Sequence, residues 1–112
     1  MKYSNFVVFL SKYVEHKLLI KAFIFGSVAR EVELPNDCDL FLVTSAKVNT
    51  IDWQVLKKLI IEMKIDFKSN FELNLNVCLN TKTEYLEGSE FKNRIHNRPM
   101  IVLKNGIQHL SI

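Results

Sequence analysis

Two apolar runs dominate the first half of the chain, and the residues at their ends restrict the fold more than any other feature. Residues 18–25 form a dense apolar stretch that closes on Gly26-Ser27. Residues 37–43 form a second stretch that opens on Asp37-Cys38-Asp39, after a break at Pro35-Asn36. Short apolar runs bounded by turn residues read as buried strands. Val28-Ala29-Arg30-Glu31 between them predicts a short helix opening at Ser27.

The rest of the chain supplies alternating helices and strands. Apolar residues at Tyr3, Phe6, Val7, Leu10, Tyr13 and Val14 keep helical spacing, with Ser4 a candidate cap; Val8 and Phe9 fall off that stripe. A long helix is predicted over 50–67, with Val55, Leu56, Leu59, Ile60 and Met63 as its apolar stripe and Ser69-Asn70 as its end. Residues 71–80 alternate strictly. Phe71, Leu73, Leu75, Val77 and Leu79 share one face; Glu72, Asn74, Asn76, Cys78 and Asn80 share the other, exposed one. Thr81 and Glu84 have capping-box spacing for a helix carrying Tyr85, Leu86, Phe91 and Ile95, which Gly88-Ser89 could split. Pro99 stops it, and 100–103 predicts a last strand. The order is α-β-(α)-β-α-β-α-β, in a single domain over 1–112 without repeats or linkers.

Composition narrows the function. The formal net charge of +3 is too small for a dedicated nucleic-acid binder, and it suits an anionic small ligand. Cys38 and Cys78, each within an apolar run, read as ordinary core or strand residues rather than a disulfide framework, and a reducing cytoplasm is the simplest setting. The apolar run at 6–10 is too short for a signal-peptide core or a membrane span. A cytoplasmic protein is expected.

The chemistry resides in five residues. Asp37 and Asp39 lie two apart on a strand and project from the same face. Adjacent carboxylates repel, and a divalent cation removes the conflict; Mg²⁺ typically takes one or two carboxylates plus substrate phosphates and water. A solvated strand end carrying two acids is the plainer alternative. Gly26 lets a phosphate approach the backbone, Ser27 adds a hydroxyl donor, and Arg30 either reaches the same phosphates or is a solvated turn residue.

Phe25-Gly26-Ser27, a spacer of nine residues, then Asp37-Cys38-Asp39-Leu40 resembles the signature of the DNA polymerase beta-like nucleotidyltransferase superfamily. Gly26-Ser27-Val28-Ala29-Arg30 is similar to the turn of its minimal nucleotidyltransferases, short proteins often encoded beside HEPN-type partners. The resemblance spans nearly the whole chain. It implies an α/β (α+β) nucleotidyltransferase fold, with a small mixed sheet of three to four strands and helices on one face. It also implies two-metal Mg²⁺ chemistry that transfers a nucleoside monophosphate, AMP from ATP, to a partner protein or small acceptor. In that scheme Asp37 and Asp39 hold the metals, while Gly26 and Ser27 hold the phosphates. A HEPN/MNT toxin–antitoxin pair or a homo-oligomer completes the site.

One departure qualifies the scheme. Active members carry a third carboxylate on a later strand, and by position it falls here at Asn74 or Asn76. An amide binds a hard cation more weakly and accepts no proton usefully. Glu72 has the right parity as a displaced substitute, though an exposed strand-end Glu accounts for it as well. Two readings therefore stand: a working transferase, or a catalytically impaired nucleotide-binding or interaction module on the same fold. His16, His96 and His109 have no metal-site spacing, Cys78 no activating neighbour, and Trp53, Tyr85 and Phe91 read as core or interface.

Overall fold

The computed structural model describes residues 2–88 and 98–106. Its elements run α1 (Ser4–Val14), β1 (Leu19–Phe25), α2 (Gly26–Ala29), β2 (Asp37–Thr44), α3 (Ile51–Phe71), β3 (Asn74–Thr81), α4 (Lys82–Leu86) and β4 (Ile101–Asn105). The strands form one sheet in the order β3-β2-β1-β4. β1 pairs antiparallel with β2 and with β4, whereas β2 and β3 are parallel because α3 carries the chain back between them. This is the mixed sheet expected from the sequence.

The sheet buries its two faces differently. Leu40 and Leu42 of β2 and Leu75 of β3 pack with Leu10 and Val14 of α1 and Leu56, Met63 and Phe67 of α3. The opposite face holds a smaller cluster of Phe23, Phe41 and Val43, with Cys78 and Tyr85 against it. Phe23 and Phe41 stack at 4.8 Å between ring centroids. Asp37 and Asp39 belong by parity to this second face, so they emerge where its aromatic cover ends.

Several boundaries differ from the sequence expectation. Ser4 is the first helical residue of α1 and makes no cap; Tyr3 occupies that position, and its hydroxyl donates to the carbonyls of Val32 and Glu33. Phe9 is not off the core, since its ring meets Tyr13, Phe67 and Phe71. α3 begins as expected, with Thr50 accepting from the Trp53 amide, but it runs past Ser69-Asn70 to Phe71. The reason is aromatic packing. Phe67 and Phe71, four residues apart, lie on one helix face with rings 4.8 Å apart, and both meet Phe6 of α1. That contact outweighs the strand alternation that Phe71 also fits. Glu72 closes the helix in the left-handed conformation at φ 54°, so it is not a strand residue.

Val55, read as part of the buried stripe of α3, instead faces solvent. Asn80, read on the exposed face, is buried at the end of β3. The Thr81–Glu84 capping box forms in full, and α4 then ends at Leu86. Ser89, Phe91, Ile95, His96, His109 and the tail beyond Gly106 lie outside the described residues. No helix among the described residues is long and apolar enough to cross a membrane.

Candidate functional site

The register of the sheet assembles the site. β1 and β2 set Phe25 opposite Asp39, which brings the Gly26 turn directly to that carboxylate. The parallel pairing of β2 and β3 sets Asn74 beside Asp37 and Asn76 beside Asp39. Of the two amides, only Asn76 closes on the acids. Its Nδ2 donates to Asp37 Oδ2 at 2.8 Å and to Asp39 Oδ1 at 3.3 Å. Glu72 stands at the α3 C-cap, outside β3, and is not a displaced member of this face.

Gly26 is required by two independent constraints. Its φ of +70° lies in the left-handed region, and a Cβ there would clash with Oδ2 at the end of the Asp39 side chain. A side chain would therefore meet both backbone strain and the carboxylate itself. Ser27 is half-buried, and its hydroxyl donates a long bond of 3.5 Å to the Asp37 carbonyl. Arg30 caps the short α2 with its amide on the Gly26 carbonyl at 3.1 Å, and its exposed guanidinium acts electrostatically on Asp39. Gly26, Asp37 and Asp39 thus lie together with Asn76, while Ser27 reaches the Asp37 backbone and Arg30 acts on Asp39 through its charge alone.

The electrostatics follow from this crowding. Burial pushes the Asp39 carboxyl above the usual carboxylate range, and the neighbouring Asp37 charge adds to the rise. The Asn76 hydrogen bond and the Arg30 charge act in the opposite direction. Cys38, between the two acids but facing the other core, has its thiol pushed up to about 12, chiefly by burial. It is a packing residue and no nucleophile. His16 is used locally: its Nδ1 accepts from the Leu18 amide at 3.2 Å. Trp53 packs against the main core, and Tyr85 leans on Phe41 at 6.0 Å.

The donor set suits a hard cation. Asp37 Oδ2 and Asp39 Oδ1 converge on a single point, which the partly positive Nδ2 of Asn76 now occupies. A half-turn of that amide presents Oδ1, a neutral oxygen ligand, to the same point. Two carboxylates plus phosphate oxygens and water match the usual needs of Mg²⁺. No group of three His, Cys, Asp or Glu side chains clusters among the described residues, so the two carboxylates stand without a third acid beside them.

The fold is a nucleotidyltransferase fold. Three solved structures share this architecture. One is a toxin–antitoxin complex solved with AMP-PNP, at TM-score 0.61 and 13% identity, covering 94% of this chain and 77% of that one. A second is a double aspartate-to-glutamate mutant of the toxin–antitoxin MntA–HpeT, at TM-score 0.56 and 10% identity, covering 96% and 75%. The third is a provisionally assigned nucleotidyltransferase from Sulfolobus solfataricus, at TM-score 0.52 and 16% identity, covering 90% and 81%. At these identities the likeness is one of fold. No protein-family model and no curated protein sequence matches the chain.

Proposed function

We propose that this protein binds a Mg²⁺–nucleoside triphosphate, ATP in the first instance, at Asp37 and Asp39, and that its transfer of the nucleoside monophosphate is impaired. The observation that carries the reading is the Asn76 contact: the acids converge as a cation site would require, with an amide in the place of the third acid. Mg²⁺ held there supplies charge neutralisation on the triphosphate. Asp37 and Asp39 hold the cation, the Gly26 turn leaves room beside Asp39 for a phosphate, and Arg30 adds positive charge. In the transfer an acceptor oxygen bonds to the α-phosphorus as the bond to pyrophosphate breaks. The acceptor's proton then needs a base, and Asn76 offers none.

The partner reading is a proposal of the same kind. Two of the structural neighbours are toxin–antitoxin proteins, one of them with AMP-PNP. This supports a nucleotide-dependent role beside a protein partner, with a HEPN-type protein as the candidate. The intact Asp37–Asp39 pair and Gly26 turn favour the second reading, a working transferase that borrows its base from that partner.

Thermal unfolding with Mg-ATP, in the wild type and in Asp37→Asn/Asp39→Asn, tests the binding. Ligation of the native state alone raises stability by about 2.7 kcal/mol at a hundredfold excess over Kd. The double variant should show no such gain. Absence of a shift in the wild type overturns the reading. Transfer of labelled AMP by the chain without its partner, at a rate unaffected by Asn76→Ala, overturns the claim of impairment.

A further inference from the structure

The α3 helix carries a second stripe on its solvent side, apolar at Ile51, Val55 and Ile65 and charged at Lys58 and Glu62 between them. Leu56, Met63 and Phe67 face the sheet, yet Ile51, Ile61 and Ile65 on the opposite side are 82%, 58% and 63% exposed. Val55 is 45% exposed, and Lys58 and Glu62 are exposed between them. Ile51, Val55, Lys58, Glu62 and Ile65 follow one another at spacings of four, three, four and three. That is the spacing of a heptad seam, here with a charged centre between apolar ends. None of the other described elements covers this stripe.

We infer that the stripe is the interface of a homodimer, in which α3 pairs antiparallel with α3 of a second copy about a two-fold axis near residue 60. The charges select both the occupant and its direction. In this register Val55 lies opposite Ile65 of the second copy, and Lys58 lies opposite Glu62 of the second copy. The two-fold axis repeats each pair. Ile61, on the flank of the seam, meets its own counterpart. A parallel in-register pair would set Lys58 against Lys58 and Glu62 against Glu62. An antiparallel pair slipped by one heptad would set Lys58 against Val55, or Glu62 against Ile65. Of these registers only the proposed one sets both Val55 against Ile65 and Lys58 against Glu62; Ile51 then lies at the end of the seam, opposite Ser69 of the second copy. One helix per subunit is a small interface, so the dimer is a concentration-dependent one. The surface lies on the helix and not at the carboxylates, so the inference is independent of nucleotide binding.

Sedimentation equilibrium of the full chain without nucleotide, from low micromolar to several hundred micromolar, tests it. The wild type should show a reversible monomer–dimer equilibrium. Lys58→Glu and Glu62→Lys each turn two attractive pairs into two repulsive ones and should raise Kd about tenfold or more. Mixing these two variants restores both opposite-charge pairs and should produce heterodimers. Circular dichroism of each variant checks that α3 stays folded. A wild type that remains monomeric overturns the proposal. So does a wild-type dimer that the variants leave unchanged, or weakened variants that fail to recombine, since either places the contact elsewhere or with another partner.

Discussion

Asn76 Nδ2 sits 2.8 Å from Asp37 Oδ2, and the same nitrogen reaches Asp39 Oδ1 at 3.3 Å. A neutral donor thus holds together two carboxylates that would otherwise repel. The same amide stands beside the acids without adding a negative charge of its own.

Replacing that amide by an acid separates the two effects. Asn76→Asp should destabilise the metal-free protein at neutral pH by about 1–2 kcal/mol, because three carboxylates then share one face. Added Mg²⁺ should recover this loss, giving the variant a larger rise in melting temperature than the wild type. Calorimetry with EDTA and with Mg²⁺ measures both. Equal metal responses in the two proteins would contradict the placement of the cation beside Asn76.

Gly26→Ala is expected to cost roughly 1–3 kcal/mol, from the positive φ and from the clash with Asp39. Chemical denaturation gives the magnitude. The same variant should lose the thermal shift with Mg-ATP, since relief of the clash moves the Asp39 carboxylate away from Asn76.

The raised pKa of Asp39 makes a signed prediction. An acid whose folded pKa lies above its unfolded value favours the folded state most when protonated; that advantage is lost as pH rises through the folded pKa. Asp39→Asn should therefore be more stable than the metal-free wild type at neutral pH. The difference should shrink as pH falls through the raised value and level off below the ordinary carboxylate range. Urea melts across that window measure it, and a gap that widens toward acid would refute the assignment.

The two sides of α3 should respond differently to truncation. Phe67→Ala empties a fully buried site against Phe6, Phe9 and Phe71 and should cost about 3–5 kcal/mol. Val55→Ala, measured at concentrations that keep the chain monomeric, should stay within about 0.5 kcal/mol. A large loss at Val55 would mean that the sequence-derived stripe, and not the structure, has the buried face right.

Much of this protein is legible locally. Apolar runs, turn residues and period-two alternation determined that 37–43 and most of 71–80 are strands and that Asp37 and Asp39 share a face. Thr81 and Glu84 announce their capping box because its partners are three residues apart. The tertiary structure decided the rest, because those choices depend on groups far apart in the chain. Phe71 fits a helix and a strand equally well, and the rings of Phe6 and Phe9, over sixty residues earlier, take it into the helix. Val55 lies at the edge of the apolar arc, and only the docking of α3 on the sheet turns it outward. The choice between Asn74 and Asn76 rests on the β2–β3 register, and the contact of Gly26 with Asp39 on the β1–β2 register. Side-chain spacing within a strand assigns a face; which residue across the sheet meets it is fixed by the packing of both strands on the core.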